Sequence, residues 1–210
     1  MGRIAGVTAA ETRQRLLDAG AQVFAAKGYE GTRVADIAKA AQLSNGALYA
    51  HFDSKAALLA EAVRDQGSAH LAALFLEDPD RTLLDLLVAL GSSLPDRPLE
   101  HGALVVEAIV AARRDPEVAG LMSAQVGDRD VWLTDLVRTA QDDGALDRSF
   151  SPEVISRFSL MLLFGSLLVS SLDLPALDTT EWRGLISRLA SVLQPEALPL
   201  PTTATPGAPS

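Results

Sequence analysis

The 210-residue chain contains no cysteine, which excludes disulfide frameworks, cysteine-ligated zinc sites and thiol catalysis. It fits a reducing compartment, and we expect a cytoplasmic protein. The start, MGRIAGVTAAET, lacks the apolar stretch of a signal peptide. The charge-free run 158–172 is shorter than the ~20 residues that cross a bilayer. It therefore predicts a helix buried in a bundle or subunit interface, and no membrane partner is expected.

Enzymatic motifs are also missing from the sequence. There is no Gly-x-Ser-x-Gly elbow, no glycine-rich phosphate loop and no His-Glu-x-x-His motif. The three histidines, His51, His70 and His101, lack the spacing of metal ligands. We therefore expect no catalysis, no metal and no cofactor.

Positive charge is scarce and unevenly placed in a chain whose net charge is -9. Residues 1–60 hold seven Lys and Arg against five Asp and Glu, which gives +2, and they include all three lysines. The other 150 residues hold 11 basic and 22 acidic residues, which gives -11. Such asymmetry suggests two parts with different roles, although +2 over 60 residues is also ordinary variation.

Strictly alternating apolar and polar runs, typical of strands, are absent. Apolar residues instead recur at helical spacing, which predicts an all-α fold of about nine helices. The first helix is expected over 9–27, because Thr8-x-x-Glu11 has capping-box spacing and Gly28 is a typical stop. Five later helices are predicted near 80–92, 99–114, 116–143, 152–172 and 179–194, separated by proline and glycine.

Two short helices follow the first one. Thr32 is expected to cap a helix over 34–41, and Ser44 or Asn45 a helix that reaches about His51. Asp53-Ser54 would cap a fourth helix over 55–76. Two short helices joined by a tight turn predict a helix-turn-helix, whose second helix enters the DNA major groove.

The segment LSNGALYAHF (43–52) has the composition of a recognition helix. Its large apolar residues can anchor it, and the others remain for the outer face or its ends. Asn can read a base edge, whereas Tyr and His can donate to phosphate. Tyr49 or His51 could equally be ordinary surface residues, and Lys55 a solvated lysine. The anchors are Leu43, Leu48 and Phe52; the outward set is Asn45, Gly46, Ala47, Tyr49 and His51.

These features divide the chain into three parts. Residues 1–54 are predicted to form a DNA-binding domain. Residues 55–194 are predicted to form a larger helical domain for effector binding and dimerisation, with the helix 55–76 as connector. Residues 195–210, rich in Pro, Thr and Ala, are predicted to be a disordered tail.

Residues 12–59 resemble the DNA-binding domain of the TetR family of bacterial transcriptional regulators. The motifs GYEGT, VADIAKAA, S-x-GALYxHF and SKAALL occur in order and at the family spacing. The resemblance implies an all-α homodimer whose variable C-terminal domain binds a small molecule and pairs the subunits.

The resemblance also implies individual roles. Tyr49, His51 and Lys55 would contact phosphates, and Asn45 with its neighbours would lie at the groove. Arg33 replaces a usual Thr, Ala35 a frequent Arg and Asn45 a frequent Lys, which puts the operator sequence in doubt. As a hypothesis, Arg33 restores a phosphate contact that Ala35 gives up. The complete set expected at DNA is Thr32, Arg33, Ser44, Asn45, Gly46, Ala47, Tyr49, His51 and Lys55.

The last two predicted helices carry more apolar surface than one thin subunit can cover, which predicts an isologous dimer. The two recognition helices of such a dimer lie about 34 Å apart, so the operator should be palindromic. The expected interface consists of Phe158, Leu163, Phe164, Leu167, Leu168, Leu185, Leu189 and Val192.

An effector pocket is expected between helices of the larger domain. Spacing does not separate pocket lining from core, and His101 and Glu107 could orient a ligand or simply lie at the surface. We expect a largely apolar effector, and the charge of -11 would favour a cationic one. The candidate lining is Leu87, Leu90, His101, Val106, Glu107, Ile109, Leu121, Met122, Trp132, Leu136 and Phe158.

The sequence thus predicts a ligand-responsive transcriptional repressor that binds a palindromic operator on double-stranded DNA as a homodimer. The alternative is a helical small-molecule-binding protein whose helix-turn-helix no longer reads DNA specifically.

Overall fold

Nine α-helices and no strand occur in the part of the chain that this computed structural model describes, which is 8–77, 82–93, 99–170, 172, 174–175 and 177–195. The all-α prediction is confirmed. All but the first residue of the predicted tail, 195–210, lies outside the described residues. The helices are α1 Ala9–Lys27, α2 Val34–Ala40, α3 Asn45–Tyr49, α4 Lys55–Glu77, α5 Leu83–Ser92, α6 Leu99–Ala112, α7 Pro116–Asp142, α8 Pro152–Ser170 and α9 Thr179–Ser191.

The limits of α1 follow from the local signals at its two ends. The Glu11 amide donates to the Thr8 hydroxyl at 3.1 Å, and the Thr8 amide donates to the Glu11 carboxylate at 2.7 Å. This is the predicted capping box. Gly28 ends the helix with φ 73°, which glycine adopts without a Cβ clash.

The start of α2 differs from the prediction. Thr32 does not cap it, because its side chain is 2% exposed and its hydroxyl donates to the Gly28 carbonyl at 2.6 Å. Arg33 is the N-cap residue, and its amide donates to the Asp36 carboxylate at 3.2 Å. The predicted contact of Thr32 with DNA is therefore wrong for this conformation, since burial removes its hydroxyl from the surface.

The second helix of the pair is shorter than predicted. Its cap is Ser44, whose hydroxyl accepts from the Ala47 amide at 3.1 Å, but α3 ends at Tyr49 and a turn includes His51. Ser54 caps α4 as predicted, and its hydroxyl accepts from the Ala57 amide at 2.9 Å.

One hydrophobic core joins the N-terminal helices to the rest of the chain. Leu16, Phe24, Leu48 and Leu58 are each 0% exposed and pack in the same cluster as Leu104 of α6. Since α1 also packs directly on α6, the first three helices rest on the larger helical region. A second cluster joins α7 to α8, and α9 packs mainly on α5.

Helix α8 contains an 18-residue apolar stretch, Pro152–Val169, that is long and apolar enough to cross a membrane by length and composition alone. The core helices of many globular proteins pass the same test. Only 22% of this stretch is buried within the chain, so much of its apolar surface is unpaired in one subunit.

Candidate DNA interface and effector cavity

Helix α3 presents polar and small residues outward while its apolar anchors point inward. Leu48 is 0% and Phe52 2% exposed, and both belong to the main core. Asn45 and Gly46 are exposed, and the Tyr49 side chain is 56% exposed. The anchoring predicted for LSNGALYAHF is therefore confirmed, and a rigid helix holds a polar face toward solvent.

The other candidate DNA contacts lie around this face and differ in how exposed they are. Arg33 is exposed at the start of α2, and His51 is half-buried beside the Phe52 ring, with 6.5 Å between ring centroids. Ser44 is exposed but its oxygen caps α3, while Ala47 is half-buried. These residues surround one surface, and their contacts with DNA remain predictions.

Lys55 has an internal role that sequence reasoning missed. Its ammonium donates to the Tyr29 carbonyl at 2.7 Å and the Thr32 carbonyl at 3.1 Å, and it lies 4.0 Å from the Tyr29 ring centroid. An ammonium group has three N–H donors, so one remains for a phosphate. Lys55 thus links the start of α4 to the loop before α2.

Two further features, one hydrogen bond and one backbone conformation, set the position of the short helices. Arg15 of α1 donates to the Ala41 carbonyl at 2.6 Å, next to the turn that leads into α3. In that turn Gln42 has φ 57°, the left-handed conformation that non-glycine residues rarely adopt. A left-handed residue at this point reverses the chain between α2 and α3. Neither feature was predicted, because periodicity identifies helices but not the hydrogen bonds and turns that join them.

Tyr29 links the DNA-binding helices to the larger region. Its amide donates to the Glu107 carboxylate of α6 at 2.5 Å, and its hydroxyl donates to Asp115 at 2.8 Å. Burial, with Asp115 as the next cause, raises the pKa of the Tyr29 phenol, while the hydrogen bond from Tyr29 lowers the pKa of Asp115. Asp115 also caps α7, accepting from the Glu117 amide at 2.9 Å. The prediction that Glu107 lines the pocket is wrong, since its carboxylate faces this junction.

A cavity of about 930 Å³ lies among α4, α5, α7, α8 and α9. Its wall is mostly Leu, Val, Ile and Phe, with a polar end formed by α4 and α7. The volume suits a drug-sized organic molecule. Five of the predicted pocket residues lie on its wall: Leu87, Leu90, Met122, Trp132 and Phe158.

The remaining pocket candidates lie elsewhere. Leu121 packs against the N-terminal core, and Ile109 is 46% exposed on α6. Val106 and Leu136 are half-buried outside the cavity wall, and the side chain of His101 lies outside the described residues. Helical spacing predicted their apolar environment but not which neighbour each would meet. Within the described residues, no cluster of three His, Asp or Glu could hold a metal ion.

The predicted interface residues differ in exposure. Phe158, Leu168, Leu185, Leu189 and Val192 are between 46% and 58% exposed. Leu163 and Phe164 are half-buried on the cavity wall. Leu167 is only 6% exposed and faces the cavity, so its assignment to the interface is wrong.

Known proteins resemble both the site and the fold. The family profile "Bacterial regulatory proteins, tetR family" matches residues 16–62, which span α2, α3 and the start of α4. The transcriptional regulator UidR from Escherichia coli is 28% identical over 183 residues, covering 87% of this chain and 93% of UidR. The helix-turn-helix region of the chain is thus of the TetR type.

Two other proteins support the same assignment. The transcriptional repressor DhaR from a Mycobacterium species is 27% identical over 172 residues, covering 74% of this chain and 80% of DhaR. The solved structure of Salmonella enterica GusR superposes with TM-score 0.67 at 27% identity, covering 86% of this chain and 95% of GusR. The chain is thus a transcriptional regulator with a helix-turn-helix, and TetR-type regulators bind DNA and small-molecule effectors.

Proposed function

We propose that the protein is a homodimeric repressor in the bacterial cytoplasm that binds a palindromic operator and leaves it when an effector fills the cavity. The observation that carries this proposal is the α3 face. There Asn45 and Tyr49 project from a helix whose Leu48 is fully buried. A rigid helix with polar residues outward is the arrangement that reads a major groove.

Dimerisation through α8 and α9 supplies the second recognition helix. The exposed apolar side chains of Phe158, Met161, Leu168, Leu185 and Val192 are each at least 50% exposed in one subunit. Gly165 of α8 is also exposed, and a Cβ there would meet no atom within 4 Å, so a partner helix has room to approach. An isologous pairing of this face would remove it from water and give the operator its two-fold symmetry.

Helices shared by the cavity and the DNA-binding core provide the route for release. Met122 of α7 belongs to the cavity wall and to the core that contains α1 and α3. Gln125, also on the wall, donates to the Ala60 carbonyl of α4 at 2.9 Å. An effector that displaces α7 would therefore move α4 and the Tyr29 junction. It shifts the DNA-binding population only by its differential affinity for the two conformations.

Selection from a pool of random-sequence duplexes, at near-physiological salt, tests the proposal. We expect enrichment of one palindrome, because two copies of α3 read equivalent half-sites. The Tyr49→Phe variant, which lacks only an exposed hydroxyl, should bind that palindrome five- to tenfold more weakly at an unchanged melting temperature. A phosphate hydrogen bond contributes about 1–1.4 kcal/mol, which matches this change.

One outcome of the selection would contradict the repressor, and one result with Tyr49→Phe would contradict the role of its hydroxyl. Weak retention without an enriched sequence, abolished by modest salt, would indicate nonspecific phosphate attraction alone. The protein would then be a helical small-molecule-binding protein, and Arg33, Ala35 and Asn45 would belong to a surface with another use. If the Tyr49→Phe variant bound the operator with full affinity, the Tyr49 hydroxyl would not contact the DNA.

Charge placed on the apolar face should separate the subunits. We expect Leu168→Glu combined with Leu185→Glu to weaken self-association at least about 100-fold, because each carboxylate would be buried twice in an isologous interface. Sedimentation velocity at micromolar concentration measures the change. Thr139→Glu, an exposed α7 position outside this face, is the matched control. A double variant that remains dimeric would mean that another surface pairs the subunits.

A further inference from the structure

The polar end of the cavity contains an arginine that has no partner among the described residues. Arg129 of α7 is half-buried on the cavity wall, and none of the described residues forms a hydrogen bond or ion pair with its guanidinium. Two other arginines nearby each have a carboxylate partner. Arg64 lies 3.3 Å from the Glu61 carboxylate, and Arg157 lies 2.5 Å from Asp130, the residue next to Arg129. Arg129 thus brings an uncompensated positive charge to an otherwise apolar cavity.

The chain makes room for this guanidinium instead of leaving it in solvent. A Cβ on Gly67 of α4 would lie 3.1 Å from Arg129 Nη2 and 3.4 Å from Nη1. The guanidinium therefore packs closely against α4, and a side chain at position 67 would crowd it. Burial lowers the pKa of Arg129, which reflects the loss of water around its charge. A desolvated cation of this kind is unfavourable until an anion pairs with it.

A second group on the wall, next to Gly67 in the chain, is also unsatisfied within the described residues. Gln66 also lines the cavity, and its side-chain oxygen is buried without a hydrogen-bond partner. A buried carbonyl oxygen requires an N–H or O–H donor. The polar end therefore offers a fork of guanidinium donors and one acceptor, whereas most of the remaining wall, including Phe158, Leu162 and Leu189, is apolar.

Resting on the proposed function, we infer that the effector is an amphiphilic organic anion whose carboxylate or phosphate is held by Arg129 and whose apolar body lies along α8 and α9. The fork geometry of arginine matches both oxyanions. The overall charge of -11 outside the DNA-binding segment would instead favour a cation. Asp128, the one carboxylate among the described residues of the wall, is exposed to water and carries its own hydration. The positive charge of Arg129 inside the cavity therefore determines the sign of the ligand's charge.

Four probes with the same ten-carbon chain test the inference on the dimeric protein: decanoate, decyl phosphate, decan-1-ol and decyltrimethylammonium. Calorimetric titration below their micellar concentrations gives each affinity. We expect one or both anions to bind at least tenfold more tightly than the alcohol, and the cation more weakly than the alcohol. Equal affinity for anions and alcohol, or preference for the cation, would overturn the inference without any variant.

Variants then assign the effect to one residue. Arg129→Gln should weaken binding of the preferred anion at least tenfold and change decan-1-ol by less than about twofold. Arg129→Lys should retain part of the preference, because it keeps the charge but loses the fork. Arg64→Gln is the matched control, since it is also on the wall but already paired with Glu61. If Arg129→Gln weakened the binding of the anion and of the alcohol equally, Arg129 would only pack against the ligand and would not bind its charge.

The effector role is measured separately, by operator affinity with and without the bound anion. Anion binding that depends on Arg129 but leaves operator affinity unchanged confirms the site and contradicts release. Operator binding by a protein that shows no anion preference contradicts the site and leaves the regulator intact.

Discussion

Replacing Gly31 by alanine should lower the free energy of unfolding by about 2–3 kcal/mol, which is typical of a strained overpacked site. A Cβ at this position would lie 2.4 Å from the Lys27 carbonyl oxygen. The obstacle is backbone at the end of α1, so no side-chain rotation relieves the clash. The loop from Gly28 to Arg33 would have to move, and with it Tyr29, Thr32 and the start of α2.

Chemical denaturation followed by circular dichroism measures this loss. Gly120→Ala is the matched control, because a Cβ there, in the second turn of α7, meets no atom within 4 Å. That substitution should raise stability by about 0.5–1 kcal/mol, since alanine loses less backbone entropy in a helix. If Gly31→Ala were as stable as wild type, the short approach of residue 31 to α1 would not persist in solution.

Replacing Lys55 by methionine should have an effect of similar size, about 2–3 kcal/mol. The change removes two charge-assisted hydrogen bonds, to the carbonyls of Tyr29 and Thr32, and the contact with the Tyr29 ring. Methionine keeps the length of the stem, so packing is largely retained. We also expect weaker operator binding, with a salt-dependence slope reduced by about 0.9 if the third N–H contacts a phosphate.

The two roles of Lys55 are separated by measuring unfolding and binding on the same variant. Lys39→Met is the matched control for stability, because this exposed lysine of α2 has no hydrogen bond or ion pair to lose among the described residues. A loss of stability with an unchanged salt dependence of operator binding would mean that Lys55 bonds only within the protein and does not contact a phosphate. An unchanged stability would contradict its internal role.

Local signals explain why the helices could be predicted so closely. Three of these signals act within one turn of chain and can therefore be recognised in the sequence. They are the capping box at Thr8 and Glu11, the stop at Gly28 and the Asp115-Pro116 start of α7. The end of α3 was misplaced by about two residues because its last turn carries no stop residue. Phe52 there is buried in the core, and that contact determines how the chain turns into α4.

The family resemblance placed the recognition segment, but it did not predict which of its neighbours would be buried. Thr32 and Glu107 were assigned to surfaces that bind DNA and effector. In the structure the first bonds to Gly28 and the second to Tyr29. Polar side chains of this kind are placed by partners from distant parts of the chain, 78 residues away for Tyr29 and Glu107. No spacing rule contains that information.

The sequence by itself determined the all-α class, most of the helix limits and the recognition segment, because capping, periodicity and the spacing of LSNGALYAHF are local properties. Tertiary structure alone decided which apolar residues line the cavity and which cover the core, since both sets have the same helical spacing. It also decided that Lys55 faces inward and that Arg129 has no partner among the described residues. Charge pairing depends on distances between helices, and those distances exist only after the helices have packed.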